Sequence, residues 1–434
     1  MQDEIELSEA PRAQFEKDTS RPDSAATSIS DHTAFDPATP NDADGKGTVR
    51  SKYPPAGNEE KHHAPGIFSE PGTLPLPDAG YHHLGVVFEG VTVHGTGGTQ
   101  RTVEGLEISI FKALDFPGWI KKLTGWKTGP TRPLISDFVG VCPDGETMLV
   151  LGRPGAGCST LLRALANSRA PFVKVEGDVT YSTIDAHEAK KFYDGEIVFN
   201  SEEDNHIPLL TVEQTLDVGL SLKKPAKLMT PMTTKAYVAE YTSRLLHTFG
   251  MPHTRKTFVG NEYVRGVSGG ERKRVSLSEM LCTNAAVISW DNCIRGLDSA
   301  VALHFLKALK ELSLSTGMSN IVSIYQASQE MYDSCFDRVV VIFEGQMVFS
   351  GRTSDAEAFF IEQGWEKKSR QTTPDFLTSC TSVTERKIRD GHHGPMPQTP
   401  REMADYFKAS PYYTRLQEDI ASYKVPRMIQ IARA

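Results

Sequence analysis

Residues 147–166 read TMLVLGRPGAGCSTLLRALA, and this stretch decides the fold. Its first five residues are a short apolar run, which is typical of a buried strand. A loop with three glycines follows, and apolar residues then recur at helical spacing from Ser159 to Ala166. A strand that enters a glycine-rich turn and leaves as a helix is the arrangement of a phosphate-binding loop, because backbone N–H groups and the helix N-terminus both attract an anion.

One position of this loop departs from the pattern G-x-x-x-x-G-K-[ST], since Cys158 stands where lysine is expected. Lysine brings positive charge to the β- and γ-phosphates, and a neutral thiol does not. We therefore expect a surviving backbone cradle, weaker stabilisation of the γ-phosphate and a Mg²⁺ contact from Ser159. This stretch alone leaves open a glycine-rich turn without a ligand. The residues predicted to bind nucleotide here are Gly152, Arg153, Pro154, Gly155, Ala156, Gly157, Cys158, Ser159 and Thr160.

Further short apolar runs predict an α/β fold around the loop. They lie at residues 84–93, 285–290, 320–324 and 339–343. Buried strands that alternate with helices indicate a mostly parallel sheet covered on both faces. Between about 205 and 285 the pattern turns helical, which predicts a helical subdomain inserted into the core.

A second motif, GVSGGERKRVSLSE at residues 266–279, places compact residues at the start of a basic helix. Such a helix N-terminus suits an anion. A plain helix cap followed by a solvated basic face is the alternative. The residues that would face such an anion are Ser268, Gly269, Gly270 and Glu271.

The order of these motifs resembles that of ABC ATPases, with the strand ending in Trp290-Asp291 shortly after the second motif. From residue 85 to about 385 the chain resembles the N-terminal nucleotide-binding domain of fungal full-size ABC transporters of the G subfamily, the pleiotropic drug resistance (PDR) type. The segments that carry the resemblance are GRPGAGCS (152–159), WDNCIRGLD (290–298), IYQASQ (324–329) and RQTTPDFLT (370–378). The resemblance implies an α/β P-loop NTPase fold of the ABC ATPase type, with an antiparallel β part and the helical subdomain.

The resemblance also implies roles for single residues. Asp291 would order Mg²⁺ together with Ser159, and Asn292 occupies the position of the glutamate that acts as general base. Glu202 would stand in the Q-loop where glutamine is usual. Tyr325 holds the place of the switch histidine, and Asp298 belongs to the D-loop. No catalytic residue is then intact, and we expect the chain's own site to hydrolyse ATP poorly.

The function implied by the resemblance is ATP-coupled export of amphipathic drugs or lipids by a full transporter. Two such domains sandwich ATP head-to-tail, so residues 268–271 would complete the hydrolysing site of a second nucleotide-binding domain. A transmembrane domain of the G-subfamily type is the other expected partner, at the cytoplasmic face of the plasma membrane. The sequence predicts a disordered tail at 1–80, the ABC domain at 81–365 and a linker toward that membrane part at 366–434. Since the chain ends at Ala434, before any membrane helix, we expect a fragment, a truncated product or a remnant.

Composition narrows the alternatives. A net charge of −8 argues against a nucleic-acid partner, which needs a basic surface. The six cysteines contain no C-x-x-C pair, which favours reduced thiols over a zinc site. A soluble ABC ATPase or a pseudo-ATPase without transport stays open, whereas P-loop kinases and GTPases lack the Ser-Gly-Gly-Glu motif. The aromatic residue that stacks on adenine is not evident, and His94 occupies its expected position.

Overall fold

The computed structural model describes residues 83–96, 131–224, 232–391, 394 and 396–431. The predicted tail at 1–80 lies outside the described residues. Within them, one sheet contains the strands β1 (Val86–Thr96), β2 (Thr131–Cys142), β3 (Thr147–Gly152), β4 (Lys174–Tyr181), β5 (Ile184–Asp185), β6 (Ile197–Asn200), β7 (Val287–Asp291), β8 (Ser319–Ser323), β9 (Arg338–Phe343) and β10 (Gln346–Arg352).

Seven of the helices in these residues lie between strands, and four follow β10. They are α1 (Cys158–Leu165), α2 (Ala186–Phe192), α3 (Val212–Lys223), α4 (Thr234–Thr248), α5 (Gly269–Leu281), α6 (Ser299–Thr316), α7 (Gln329–Cys335), α8 (Thr353–Glu362), α9 (Thr373–Cys380), α10 (Pro400–Lys408) and α11 (Pro411–Ile431). A short 3₁₀ turn spans Pro252–Thr254. The predicted strands and helices are confirmed, with small shifts at their ends.

The sheet has a parallel half and an antiparallel half. Its strand order is β5-β4-β1-β2-β10-β9-β3-β8-β7-β6. Strands β9, β3, β8, β7 and β6 are parallel neighbours, and β3, β7, β8 and β9 are buried along their whole length. Continuous burial fits a sheet covered on both faces. At the other end β1 pairs antiparallel with β2 and β4, so the expected antiparallel part is present.

The parallel half gathers the predicted site residues at one edge. In a parallel sheet the carboxyl ends of the strands meet at the same edge, which is where ligands bind in open α/β folds. Strand β3 ends in the glycine loop, β7 ends at Asp291 and β8 ends at Ser323, just before Tyr325. These motifs are far apart in the sequence and adjacent in the sheet.

The stretch between β6 and β7 is helical, as predicted. Helix α3 begins at a capping box of Thr211 and Gln214, and α4 begins at the cap of Thr233. The buried side chains of this helical stretch include Tyr237, Tyr241 and Phe249. Such caps satisfy backbone N–H groups that a helix start leaves without partners.

Helices α9, α10 and α11 form a C-terminal segment that folds back onto the sheet. Helices α10 and α11 lie against β10, and α11 also contacts β2. Arg338, only 5% exposed, donates to Glu146 Oε2 at 2.6 Å and to Asp419 Oδ2 of α11 at 2.9 Å. Lys424 of α11 also pairs with Glu89 of β1. Ion pairs and helix packing therefore make this segment part of the folded body.

Candidate nucleotide site

The glycine loop between β3 and α1 is shaped to admit an anion. Gly155 and Gly157 have positive φ values of 85° and 116°, which side chains disfavour. A Cβ on Gly157 would lie 2.6 Å from Ile135 Cγ2 of the neighbouring strand, so only glycine fits. Gly157 also forms the N-cap of α1 and gives it no side-chain hydrogen bond. The first turn of α1 therefore has no side-chain cap to compete with an anion.

A turn of the sheet braces the loop from behind. The N–H of Gly345, between β9 and β10, donates to the carbonyl of Ala156 at 2.9 Å. The carbonyl of Gly345 in turn accepts from the N–H of Ser136 in β2 at 2.9 Å. The loop is thereby held by both halves of the sheet.

Cys158 begins α1 as a buried thiol, 5% exposed. Burial raises its pKa to about 12, and the charge of Asp291 adds to the rise. Since the thiolate is the reactive form of cysteine, this residue is chemically inert near neutral pH. The position that carries lysine in the usual loop is thus apolar and uncharged.

Ser159 and Asp291 are in direct contact. Ser159 donates to Asp291 Oδ1 at 3.0 Å, and Ser323 donates to the same oxygen at 3.0 Å. Burial raises the pKa of Asp291, although the two hydroxyl groups pull in the opposite direction. A carboxylate and a hydroxyl oxygen are ligands that suit Mg²⁺. The donor set therefore fits that ion, which would also provide the counter-charge for the buried carboxylate.

Asn292 is held in a conformation that suits asparagine. Its φ is 46°, in the left-handed region that asparagine tolerates better than most residues. Its N–H donates to Ser323 Oγ at 3.0 Å, and its side-chain amide donates to Glu202 Oε1 at 3.1 Å. An amide cannot accept a proton near neutral pH, so this side chain holds Glu202 in place instead of activating water.

Glu202 is the centre of a polar network that the sequence did not reveal. Arg295 of the D-loop donates to the same Oε1 at 2.6 Å. Lys273 of α5, 2% exposed, donates to the carbonyl of Glu202 and to Asp204 Oδ1, both at 3.2 Å. The network joins the segment after β6, the end of β7, the D-loop and the second-motif helix. Buried lysine is uncommon, and the carboxylate of Asp204 that Lys273 contacts lies 69 positions away in the sequence.

Tyr325 completes the pocket in front of the loop. The pocket is lined by Arg153, Gly155, Gly157, Cys158, Ser159, Thr160 and Tyr325. Burial raises the pKa of Tyr325, and the charge of Glu202 adds to the rise. The phenol therefore stays protonated, and it lacks the ready proton exchange that histidine offers near neutral pH.

The second motif forms an exposed helix start. Ser268 caps α5 in a capping box with Glu271, whose Oε2 accepts from the N–H of Ser268 at 2.8 Å. Burial opposes a lower pKa of Glu271, but its hydrogen bonds with Ser268 and His253 outweigh that effect and hold the pKa below its usual range. A Cβ on Gly269 would have no atom within 4 Å. The carboxylate of Glu271 is thus engaged within the helix, while Ser268 and Gly269 face outward.

The D-loop lies beside this helix start. A side chain at Gly270 would point at the carbonyl of Gly296. Asp298 caps α6 by accepting from the N–H groups of Ala300 and Val301 at 3.1 and 3.0 Å. The structure therefore brings residues 152–160, Glu202, Asp291, Asn292 and Tyr325 together, while residues 268–271 do not line the pocket of the loop. His94 lies in β1, where its Nε2 is 3.5 Å from Glu176 Oε2.

Comparison with known proteins gives a family match for part of the chain. Residues 137–295, which hold the glycine loop, the second motif and Asp291, match the ABC transporter family. The chain contains an ABC transporter domain. This result confirms the predicted fold class and the prediction of an ATP-binding domain of the ABC transporter type.

The ABC domain has fungal relatives. It is 39% identical over 343 residues to ABC multidrug transporter I of Aspergillus fumigatus, covering 79% of this chain and 23% of the relative. It is 39% identical over 344 residues to ABC transporter CDR4 of Candida albicans, with 78% and 23% covered. It is 41% identical over 330 residues to ABC multidrug transporter MDR1 of Trichophyton tonsurans, with 76% and 21% covered. The chain thus spans about a quarter of the length of these relatives, and the predicted resemblance to fungal ABC transporters is confirmed.

A solved structure is also similar to this chain. It is a dimeric ATP-binding cassette in a post-hydrolysis state bound to ADP and Pi, with 17% identity and a TM-score of 0.45. The match covers 62% of this chain and 98% of the cassette.

In the part of the chain that the structure describes, no helix combines the length and apolar character needed to cross a membrane.

Proposed function

We propose that the chain is the first nucleotide-binding domain of a PDR-type transporter, and that its own site binds Mg-ATP without hydrolysing it efficiently. The observation that carries this proposal is the pairing of an open phosphate loop with Asn292, an amide at the general-base position that is bonded to Glu202. Binding groups are present at the site, while the proton acceptor is missing. The domain limits 81–365, with a helical subdomain at about 205–285 and a connection at 366–434, belong to the same proposal.

Binding is assigned to the loop and its neighbours. The backbone of residues 152–160 would hold the phosphates, and Ser159 and Asp291 would hold Mg²⁺. When bound, Mg²⁺ neutralises phosphate charge. In the described residues no group of three or more His, Cys, Asp or Glu is placed to bind a metal by itself. Phosphate oxygens and water would therefore share in the coordination, which is the usual arrangement for Mg²⁺.

Slow hydrolysis follows from the side chains around the pocket. Asn292 cannot take the proton of an attacking water. The Glu202 carboxylate is the nearest candidate, but the oxygen that faces Asn292 already accepts hydrogen bonds from Asn292 and Arg295. Tyr325 keeps its proton. Asn292 and Tyr325 therefore offer no base, and one oxygen of Glu202 is already engaged.

The second motif is assigned to a partner domain. Ser268 and Gly269 are exposed at the start of α5 and do not face the pocket of their own loop. A head-to-tail sandwich would place them on nucleotide held by a second ABC domain. This intact motif would then complete the hydrolysing site of that domain.

A transmembrane partner is assigned to an apolar surface on the helical subdomain. Val259 donates to the carbonyl of Leu210, and Gly260 donates to that of Pro208, so two exposed segments run side by side. Together they expose Ile207, Leu209, Phe258 and Tyr263, the last of which is 91% exposed. Large exposed apolar groups in one patch indicate an interaction site. We propose that this patch meets a membrane domain at the cytoplasmic face of the plasma membrane, in a transporter that exports drugs or lipids.

The test uses the purified 434-residue chain. ATP affinity is measured by calorimetry with and without Mg²⁺, and phosphate release is then measured at saturation. We expect binding, tighter with Mg²⁺, and no appreciable turnover. Ser159→Ala should weaken the Mg²⁺ dependence, whereas Ser354→Ala, on the exposed side of α8, should not. A folded chain that fails to bind ATP, or one that turns it over rapidly, would overturn the proposal.

A further inference from the structure

Arg153 in the glycine loop is tied to a segment that follows the predicted ABC domain. Its Nη1 donates to Ser382 Oγ at 2.8 Å, and its Nη2 lies 3.9 Å from Glu385 Oε1. Ser382 is fully buried and belongs to the turn after α9, while Glu385 is exposed. A loop residue is thus bonded to a partner more than two hundred positions away in the sequence.

The same side chain borders the predicted phosphate pocket. Arg153 lines the pocket of Gly155, Gly157 and Tyr325, and it also lines a second cavity with Thr381 and Thr384. Its guanidinium is about half exposed. Because arginine stems are flexible, a half-exposed arginine that borders two cavities can turn toward either one with little change in free energy.

The phosphate pocket lacks other positive charge. Cys158 is neutral and buried, and Arg295 is bonded to Glu202. Asp291 adds a carboxylate at the back of the site. Among the described residues that line the pocket, Arg153 is the cationic side chain. A triphosphate carries several negative charges, and guanidinium forms strong charge-assisted bonds with phosphate oxygens.

We propose that Arg153 supplies the positive charge that Cys158 does not, and that Ser382 and Glu385 compete with bound nucleotide for its guanidinium. This inference rests on the proposed function, because it concerns the same nucleotide site. In the structure the guanidinium donates to Ser382 and forms an ion pair with Glu385. When a triphosphate is present, the guanidinium exchanges these neighbours for phosphate oxygens. The turn after α9 therefore sets how tightly the loop holds a polyphosphate.

Release of the arginine should tighten binding in proportion to phosphate number. Exposed ion pairs contribute up to about 1 kcal/mol, so Glu385→Gln should tighten ATP binding by about two- to fivefold. Ser382→Ala should act in the same direction. Arg153→Gln should weaken ATP binding by about tenfold or more, because hydrogen bonds between charged groups are among the strongest in proteins. AMP has no β- or γ-phosphate, and its affinity should stay unchanged in each variant.

The experiment measures affinities for ATP, ADP and AMP by calorimetry on the 434-residue chain. Glu366→Gln is the matched control, since Glu366 pairs with Lys387 at 2.8 Å in the same part of the chain and does not contact the loop. The double variant Arg153→Gln/Glu385→Gln should bind ATP like Arg153→Gln alone, because no arginine remains to be released. A purely structural role would shift all three nucleotides alike.

The outcomes separate the two proposals. If neither the wild-type chain nor any variant binds ATP, both the nucleotide function and this inference fail. If the wild-type chain binds ATP but Glu385→Gln and Ser382→Ala leave it unchanged or weaken it, the inference fails and the nucleotide function stands. If Ser382→Ala is poorly folded, the exposed Glu385→Gln decides alone.

Discussion

Replacing Asn292 with glutamate restores the general-base residue type, yet the structure predicts that it will destabilise the domain. The left-handed backbone at φ 46° costs about 1 kcal/mol more for glutamate than for asparagine. The bond from the Asn292 amide to Glu202, worth about 1 kcal/mol, is lost. A second carboxylate also arrives near Glu202, and Arg295 on the same oxygen reduces that repulsion to about 1 kcal/mol. The expected loss in unfolding free energy is about 3 kcal/mol.

The assay is urea unfolding followed by tryptophan fluorescence, because Trp290 is fully buried two residues before this position. Asn292→Asp keeps a residue that tolerates the left-handed region, so about 2 kcal/mol of the loss should remain. In a Glu202→Gln background the repulsion disappears, and the glutamate variant should recover about 1 kcal/mol. A glutamate variant as stable as the wild type, or a loss that does not depend on Glu202, would refute the reasoning.

Four other expectations follow from the same contacts. Cys158→Lys alone should not produce fast hydrolysis, because position 292 still lacks a base; rapid phosphate release by this single variant would contradict it. Lys273→Met should lower the unfolding free energy by about 2–4 kcal/mol, since Asp204 loses its buried partner, and a Lys273→Met/Asp204→Leu double variant should recover part of it in urea titrations. Burial raises the pKa of Glu357, but hydrogen bonds from Lys367 and Thr373 outweigh burial and hold the pKa below its usual range. The ionised Glu357 therefore stabilises the fold above the ordinary glutamate pKa. This stabilisation is lost as the pH falls through the lowered pKa. The fall in Tm between pH 5 and pH 3 should therefore be smaller for Glu357→Gln than for the wild type. An equal fall in both proteins would exclude this role of Glu357. The Cys158 thiol, with its pKa of about 12, should react with a thiol reagent at pH 8 only after unfolding, as mass spectrometry of the labelled peptide can show.

The sequence predicted those parts of the site that are continuous along the chain. The glycine loop, the second motif and the strand that ends at Asp291 each combine hydrophobic periodicity with a local turn or cap, and both signals survive in a short stretch. The parallel sheet then places the strand ends together. The proximity of Ser159 and Asp291, which are 132 residues apart in the sequence, therefore follows from the predicted sheet.

The partners of charged side chains could not be predicted, because they do not depend on local signals in the sequence. Nothing local marks Arg295 as the partner of Glu202, or Arg153 as the partner of Ser382. The buried position of Arg338 between Glu146 and Asp419 depends on how α11 returns to the sheet. The helices after residue 372 are held by long-range packing and ion pairs, which a short stretch of sequence does not contain.

The capping box at the start of α5 affects the kinetics of the proposed association with a second ABC domain. Ser268 and Glu271 already fix the first turn of this helix in the single chain. Ordering a flexible side chain at an interface costs about 0.5–1.5 kcal/mol, and here that entropy is lost during folding instead of during association. A partner would therefore meet a rigid edge, and variants of this edge should change the lifetime of the sandwich more than its rate of formation.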